Sequence, residues 1–216
     1  MGGMTKKIPL KQTAYHVIKE KIITCEYKPS SFLNEEFLSE ELGMSRTPIR
    51  DALGRLEQER LVSILPKKGF FVSAITKEEI EMVFEGRLLL EPYFVEKYAH
   101  ELTSKEIDNM EKIVDIYEKA IESEDSEAYY GLDNDFHQCI ISKCSNHYLV
   151  STYTALYNQD RRLRILVSKT VKQRLTETII EKRAIIKCLR QGDVHGAAEE
   201  MREHIVKSKI SMFTLI

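Results

Sequence analysis

Apolar and polar positions recur with a helical period along almost the whole chain. In residues 11–25, KQTAYHVIKEKIITC, the positions Ala14, Val17, Ile18, Lys21 and Ile22 share one stripe. YKPSSFL breaks that helix with Pro29 and a serine pair. Asn34 then caps a short helix, NEEFLSEEL, with Phe37, Leu38 and Leu42 as its apolar face. Gly43 ends it, and Ser45 caps the next, in which Ile49, Ala52, Leu53 and Leu56 fall at i, i+3, i+4 and i+7. Pro48 lies in the first turn of that helix, where its missing N–H has no partner to lose. The period then switches to two. LVSIL and FFVSA flank PKKG, a hairpin with Pro66 and Gly69 in the turn and Lys67 and Lys68 at the tip.

From Thr76 onward the pattern predicts only helices. Thr76 with Glu79, and Thr103 with Glu106, have capping-box spacing. They open helices over 76–100, with a kink at Pro92, and over 103–122. Four more follow over 125–144, 146–167, 172–191 and 194–214, with Asn146 as a cap and Gly192-Asp193 breaking the last pair. The expected fold is mostly α: a winged helix-turn-helix over residues 1–75 and an antiparallel six-helix bundle over 76–216.

Composition changes this picture little. A chain of 216 residues with 43% hydrophobic and 31% charged residues is ordinary for globular proteins. No apolar run approaches the ~18–20 residues of a membrane span, and MGGMTKKIPL lacks an apolar signal core, so a cytoplasmic protein without a membrane partner is expected. Cys25, Cys139, Cys144 and Cys188 have no CxxC or zinc-finger spacing and are expected to be reduced. The net charge of −2 hides an asymmetry: residues 1–70 hold 12 basic and 9 acidic side chains, the remainder 20 and 25. A basic front end is what a nucleic-acid module needs.

Arg46, Thr47 and Arg50 project from the N-terminal end of the arginine-led helix, the end that a recognition helix points into the major groove. Arginine there can pair bidentately with guanine O6 and N7 or grip phosphate. Lys67 and Lys68 can hold phosphate or enter the minor groove, and Gly69 permits close approach. Two arginines alone would suit a solvated helix face. Three ordered helices and a Lys-tipped hairpin within seventy residues favour DNA. In the bundle, Asp133 and His137 stand at i, i+4, and His204 lies on the last helix. Such residues on facing helices can hold a metal, or the pair can be a simple Asp–His hydrogen bond beside an unrelated histidine.

The stretch from Leu33, LNEEFLSEELGMSRTPIRDALGRLEQERLVSILPKKGFFV, resembles the DNA-binding domain of GntR-type regulators, in which SRTPVREAL opens the recognition helix. The resemblance implies DNA contacts by Arg46, Thr47 and Arg50 and a wing contact near Gly69. One departure is Glu36, where some members carry an arginine that contacts the operator. Residues 78–210 resemble the FCD domain of the FadR-like branch, in its shorter six-helix, VanR-type form, through RLLLEP, LDNDFH, CSNHYL and QGDVHGAAEEMREH.

This resemblance implies a homodimeric regulator, a repressor, reading a palindromic operator under control of a small carboxylate in the bundle. It also implies a divalent metal (zinc, nickel or manganese) on Asp133, His137, His204 and a third histidine, but Lys182 stands in that last position. An ammonium has no lone pair for a metal. Three readings stay open: a weakly held metal on the remaining three residues, Lys182 turned out to solvent, or Lys182 as the positive charge, paired with Asp133 or an anionic effector. The last is preferred. Arg87 matches an arginine near the family's effector pocket and can clamp a carboxylate or bridge to Glu91. The expected effector set is Arg87, Asp133, His137, Lys182 and His204, with Tyr129 and Tyr130 able to line the pocket. The rival reading is a metal-dependent bundle enzyme on Asp133, His137 and His204. With no nucleophile–base pair and no Gly-rich phosphate loop in the sequence, a non-enzymatic role is expected.

Overall fold

The structure, a computed structural model, describes residues 10–167 and 172–215, and the chain divides into two compact units after Thr76. The first unit holds α1 (Leu10–Ile23), α2 (Glu35–Glu41) and α3 (Arg46–Gln58), with β1 (Phe32–Leu33), β2 (Val62–Leu65) and β3 (Gly69–Val72). The sheet is antiparallel in the order β1-β3-β2. Ile49, Ala52, Leu53 and Leu56 are fully buried, as their spacing requires, and pack with Ile18, Ile22 and Leu38. Arg46, Thr47 and Arg50 are thereby left on the exposed side of α3.

Asn34 caps α2, its Oδ1 accepting from the backbone N–H groups of Glu36 at 2.8 Å and Phe37 at 3.4 Å. Gly43, at φ +61°, makes the left-handed turn between α2 and α3. Two sequence expectations need correction. Ser45 stands at the N-cap position of α3, but its side chain makes no capping hydrogen bond. Phe37 is 55% exposed, because Leu38 and Leu42 take the core side of a seven-residue helix and Phe37 is rotated about 100° from Leu38.

The hairpin forms in the register Val62↔Val72 to Leu65↔Gly69. Strand β1, which the sequence did not announce, adds Phe32↔Phe71 and Leu33↔Phe70. Gly69 is at φ +99°, and a Cβ there would meet the Phe32 ring at 3.0 Å. Glycine is therefore needed on two counts.

The second unit holds α4 (Lys77–Tyr98), a 3₁₀ turn (Ala99–Glu101), α5 (Ser104–Glu122), α6 (Ser126–Ile141), α7 (His147–Val167), α8 (Lys172–Arg190) and α9 (Val194–Leu215). Helix α4 runs through Pro92 without ending. The Thr103–Glu106 capping box is complete: Thr103 Oγ1 accepts from Glu106 N–H, and Glu106 Oε2 accepts from Thr103 N–H at 2.9 Å. Asn146 accepts from Tyr148 and Leu149 N–H at the start of α7. Helix α4 packs on α6, α7 and α9, α5 on α6 and α8, and α8 on α9. Phe84, Phe94, Phe136, Tyr153 and Ile205 fill the middle of this bundle. Charged side chains are buried among them.

Candidate DNA-binding face and effector site

On the first unit, α3 presents Arg46 and Arg50, 62% and 69% exposed, with Thr47 also exposed. Both arginines are held by the first turn of α2. Arg46 donates to Glu36 at 2.5 Å. Arg50 donates through Nε and Nη2 to the two oxygens of Glu35 at 3.0 and 2.8 Å. This bidentate pair, with Glu35 only 19% exposed, fixes the Arg50 guanidinium far more firmly than the open Arg46–Glu36 contact. Sequence reasoning missed Glu35. Its only signal was an acidic pair opening α2, which looks like ordinary helix-dipole pairing. Lys67 and Lys68 are exposed at the wing tip beside the half-buried Gly69.

In the second unit, five helices bring charged groups to one interior site. Asp133 and His137 come from α6, Lys182 and Glu181 from α8, and His204 from α9; all but Glu181 are at most 1% exposed. Arg87 and Glu91 on α4, and Asp160 and Arg164 on α7, complete it. Lys182 Nζ donates to Asp133 Oδ1 at 2.7 Å, and Arg164 donates to the other oxygen, Oδ2. Arg164 also pairs with Asp160, which pairs with Arg87 at 2.9 Å. Arg87 donates to Glu91 at 2.5 Å, and Glu91 Oε2 lies 2.8 Å from His137 Nδ1. Cation and anion thus alternate from Lys182 through Asp133, Arg164, Asp160 and Arg87 to Glu91, three of each. Separately, His204 Nδ1 lies 2.7 Å from Glu181, which Arg174 holds bidentately at 2.8 and 2.7 Å.

Burial alone would push the Asp133 carboxyl up, but Arg164 and Lys182 overrule it and hold it well below the ordinary carboxylate value. Burial also opposes charge on Arg164, and Asp133 and Asp160 raise its pKa in spite of it. For Lys182 burial wins and lowers its pKa, with Asp133 only partly offsetting. His204 is pushed down by burial to about 4, the Glu181 hydrogen bond opposing, so its ring is neutral near pH 7.

Asp133, His137 and His204 each offer a ligand atom within 4.8 Å of the others. The histidines suit a metal: His204 Nδ1 is hydrogen-bonded to Glu181, His137 Nδ1 lies 2.8 Å from Glu91 without hydrogen-bond geometry, and each Nε2 is buried without a hydrogen-bond partner. The carboxylate does not, since both of its oxygens already carry a cation. At an effective dielectric of about 20, unit charges 4 Å apart interact by about 4 kcal/mol, and a divalent ion beside the ammonium meets roughly twice that as repulsion. Lys182 is also not turned to solvent: it is fully buried, its Nζ 4.2 Å from the Tyr117 ring centre and 5.0 Å from that of Phe136.

Arg87 takes the Glu91 bridge weighed from its spacing and adds Asp160. Tyr129 and Tyr130 are buried, Tyr129 edge-on to Tyr117 and Tyr130 donating to the Arg164 carbonyl at 2.9 Å. Arg164 and Asp160 were missed, because DRRLR reads as a solvated charged run. Phe94, Ile140 and Met201 close over Glu91 and His137 and leave no room there for a water molecule. Cys25, Cys139, Cys144 and Cys188 are all free thiols.

A winged helix-turn-helix with an arginine-led third helix, carried with an all-helical second unit, is the build of a DNA-binding transcription regulator. A family model described as "Bacterial regulatory proteins, gntR family" matches residues 10–72, and one described as "FCD domain" matches 81–207, more than half of the chain. The chain belongs to the GntR family of transcriptional regulators, among those with an FCD domain.

It is 27% identical over 203 residues to the HTH-type transcriptional regulator YdhC of Bacillus subtilis, spanning 93% of this chain and 90% of that one. It is 24% identical over 204 residues to the HTH-type transcriptional repressor GlaR of Escherichia coli, spanning 89% and 90%. The solved structure of E. coli McbR/YncC shares the fold at a TM-score of 0.83, with 21% identity over 96% of this chain and 98% of that one. A GntR regulator of Rhodococcus sp. RHA1 shares it at 0.82, with 17% identity over 95% and 98%. The chain is a regulator, not an enzyme, and the metal-dependent bundle enzyme is set aside. Among the described residues no helix is long and apolar enough to cross a membrane.

Proposed function

We propose that the chain is a cytoplasmic, homodimeric repressor whose affinity for a palindromic operator is set by a small carboxylate bound in the helical bundle. Arg46, Thr47 and Arg50 read the major groove, and Lys67, Lys68 and Gly69 meet the backbone or minor groove. A two-fold pair of such units matches two half-sites. The observation that carries the effector half is the buried alternation of cations and carboxylates from Lys182 to Glu91. Packing gives no reason for it, since a buried ion pair is commonly no more stabilising than apolar side chains of the same volume. Buried guanidinium forks do suit recognition of a carboxylate.

Every cation in that chain is already paired, so an effector binds by exchange. Its carboxylate displaces Asp133 or Asp160 from Arg164, which at 17% exposure is the most accessible of the three cations. The released aspartate lets α6 or α7 shift, and this differential contact is what couples ligand to DNA affinity. The test is a thermal-shift screen of mono- and dicarboxylates, followed by operator binding with each hit. A hit is expected to raise the melting temperature and to weaken operator binding by roughly 5- to 150-fold, the usual span of such coupling. Arg164→Ala should lose both effects. No carboxylate acting on the wild type, or hits acting equally on Arg164→Ala, would contradict the reading.

A further inference from the structure

We infer that Lys182 is the resident cation of the bundle site, its ammonium holding the Asp133 oxygen that a divalent ion would need beside His137 and His204, so that the site works without metal. The inference rests on reading this site as the effector site and specifies its chemistry. Three donors lie within reach of one ion, yet the carboxylate among them is committed. Its Oδ1, 4.0 Å from His137 Nε2, accepts from Lys182 at 2.7 Å, and its Oδ2 accepts from Arg164. The faces of Tyr117 and Phe136 flank the Lys182 Nζ, an arrangement that holds an ammonium and offers a metal no ligand. Lysine has no exposed surface here and no alternative carboxylate among its ion pairs in the described residues. Charge is balanced as well: with Lys182 as an ammonium, the chain to Glu91 holds three cations and three anions, and a divalent ion would leave two unbalanced buried charges.

The lysine is therefore what excludes the metal, and its replacement should admit one. The full chain, purified without chelators and without a His-tag, is assayed by elemental analysis and by melting with zinc, nickel or manganese chloride and with EDTA. The wild type is expected to carry far less than one ion per chain, with a melting temperature that neither metal nor EDTA moves. Lys182→His restores a nitrogen donor beside Asp133 and is expected to take up about one ion per chain, with melting raised by metal and returned by EDTA. Lys182→Met removes the charge without adding a ligand. It serves if the histidine variant does not fold, and should show a metal-dependent shift that the wild type lacks. A near-stoichiometric ion in the wild type overturns the inference, and so does a folded Lys182→His chain that stays metal-free. Neither result bears on operator binding or on whether a carboxylate acts as effector.

Discussion

Arg50 gives Nε and Nη2 to Glu35 and keeps the Nη1 side of its guanidinium free of that carboxylate. A guanidinium held in this way can still meet guanine O6 and N7 with its terminal edge, and it loses less side-chain freedom in doing so. On the proposed reading Glu35 positions Arg50 and also sets a negative charge beside the proposed DNA face. Glu35→Ala is expected to raise binding to scrambled DNA and steepen the salt dependence by about one phosphate contact, while discrimination for the operator falls. Fluorescence anisotropy across a salt series reads all three quantities, and unchanged discrimination would deny Glu35 the role. Individual charges were the least legible part of the sequence. Glu35 and the Asp160–Arg164 pair sit in hydrophilic runs, and their partners, Arg50, Arg87 and Asp133, lie 15 to 73 residues away. Local pattern carries no record of such pairings.

Helices were the most legible, because each must bury one stripe. The Ile49, Ala52, Leu53 and Leu56 spacing located α3, and Thr103 with Glu106 located the start of α5. Strand β1 escaped because two residues have no period, and its place is set by pairing with β3 across the unit. Phe37 misled for a related reason: a seven-residue helix has room for only one core row. Thr103→Ala removes a working cap and should cost about 1 kcal/mol of bundle stability. The urea midpoint checks this, and an unchanged midpoint would mean that tertiary packing, not the cap, fixes the start of α5.

The bundle as a whole carries a pH signature. Asp133, Glu91 and Glu181 all titrate below their ordinary values when folded, despite burial, because cations or His137 and His204 face them. His204 is lowered from 6.5 to about 4 by burial. In each case the unfolded chain binds protons more readily, so stability is greatest above pH 6.5 and falls as the pH drops, first through His204 and then through the carboxylates. Melting temperature by circular dichroism should decline steadily from pH 7 to pH 4. A flat profile between pH 7 and pH 5 would show that His204 is not buried neutral in the native state. Domain order and helix content followed from periodicity, and the family from SRTPIRDAL and LDNDFH. The charge chain across α4, α6, α7 and α8 is a property of the assembled bundle alone.

The proposed reading of a specific operator by the two exposed arginines of α3 stands or falls on DNA discrimination. Its most direct test is anisotropy of the full chain on its own upstream DNA and on a scrambled fragment, for wild type, Arg46→Ala and Arg50→Ala. The wild type should prefer its own fragment by roughly a thousandfold or more. Arg50→Ala should lose about 5- to 150-fold of that preference, the equivalent of about 1–3 kcal/mol for one bidentate base contact, and Arg46→Ala should lose less if its contact is to phosphate. Equal binding to both fragments by the wild type, or full preference in both variants, would contradict the account.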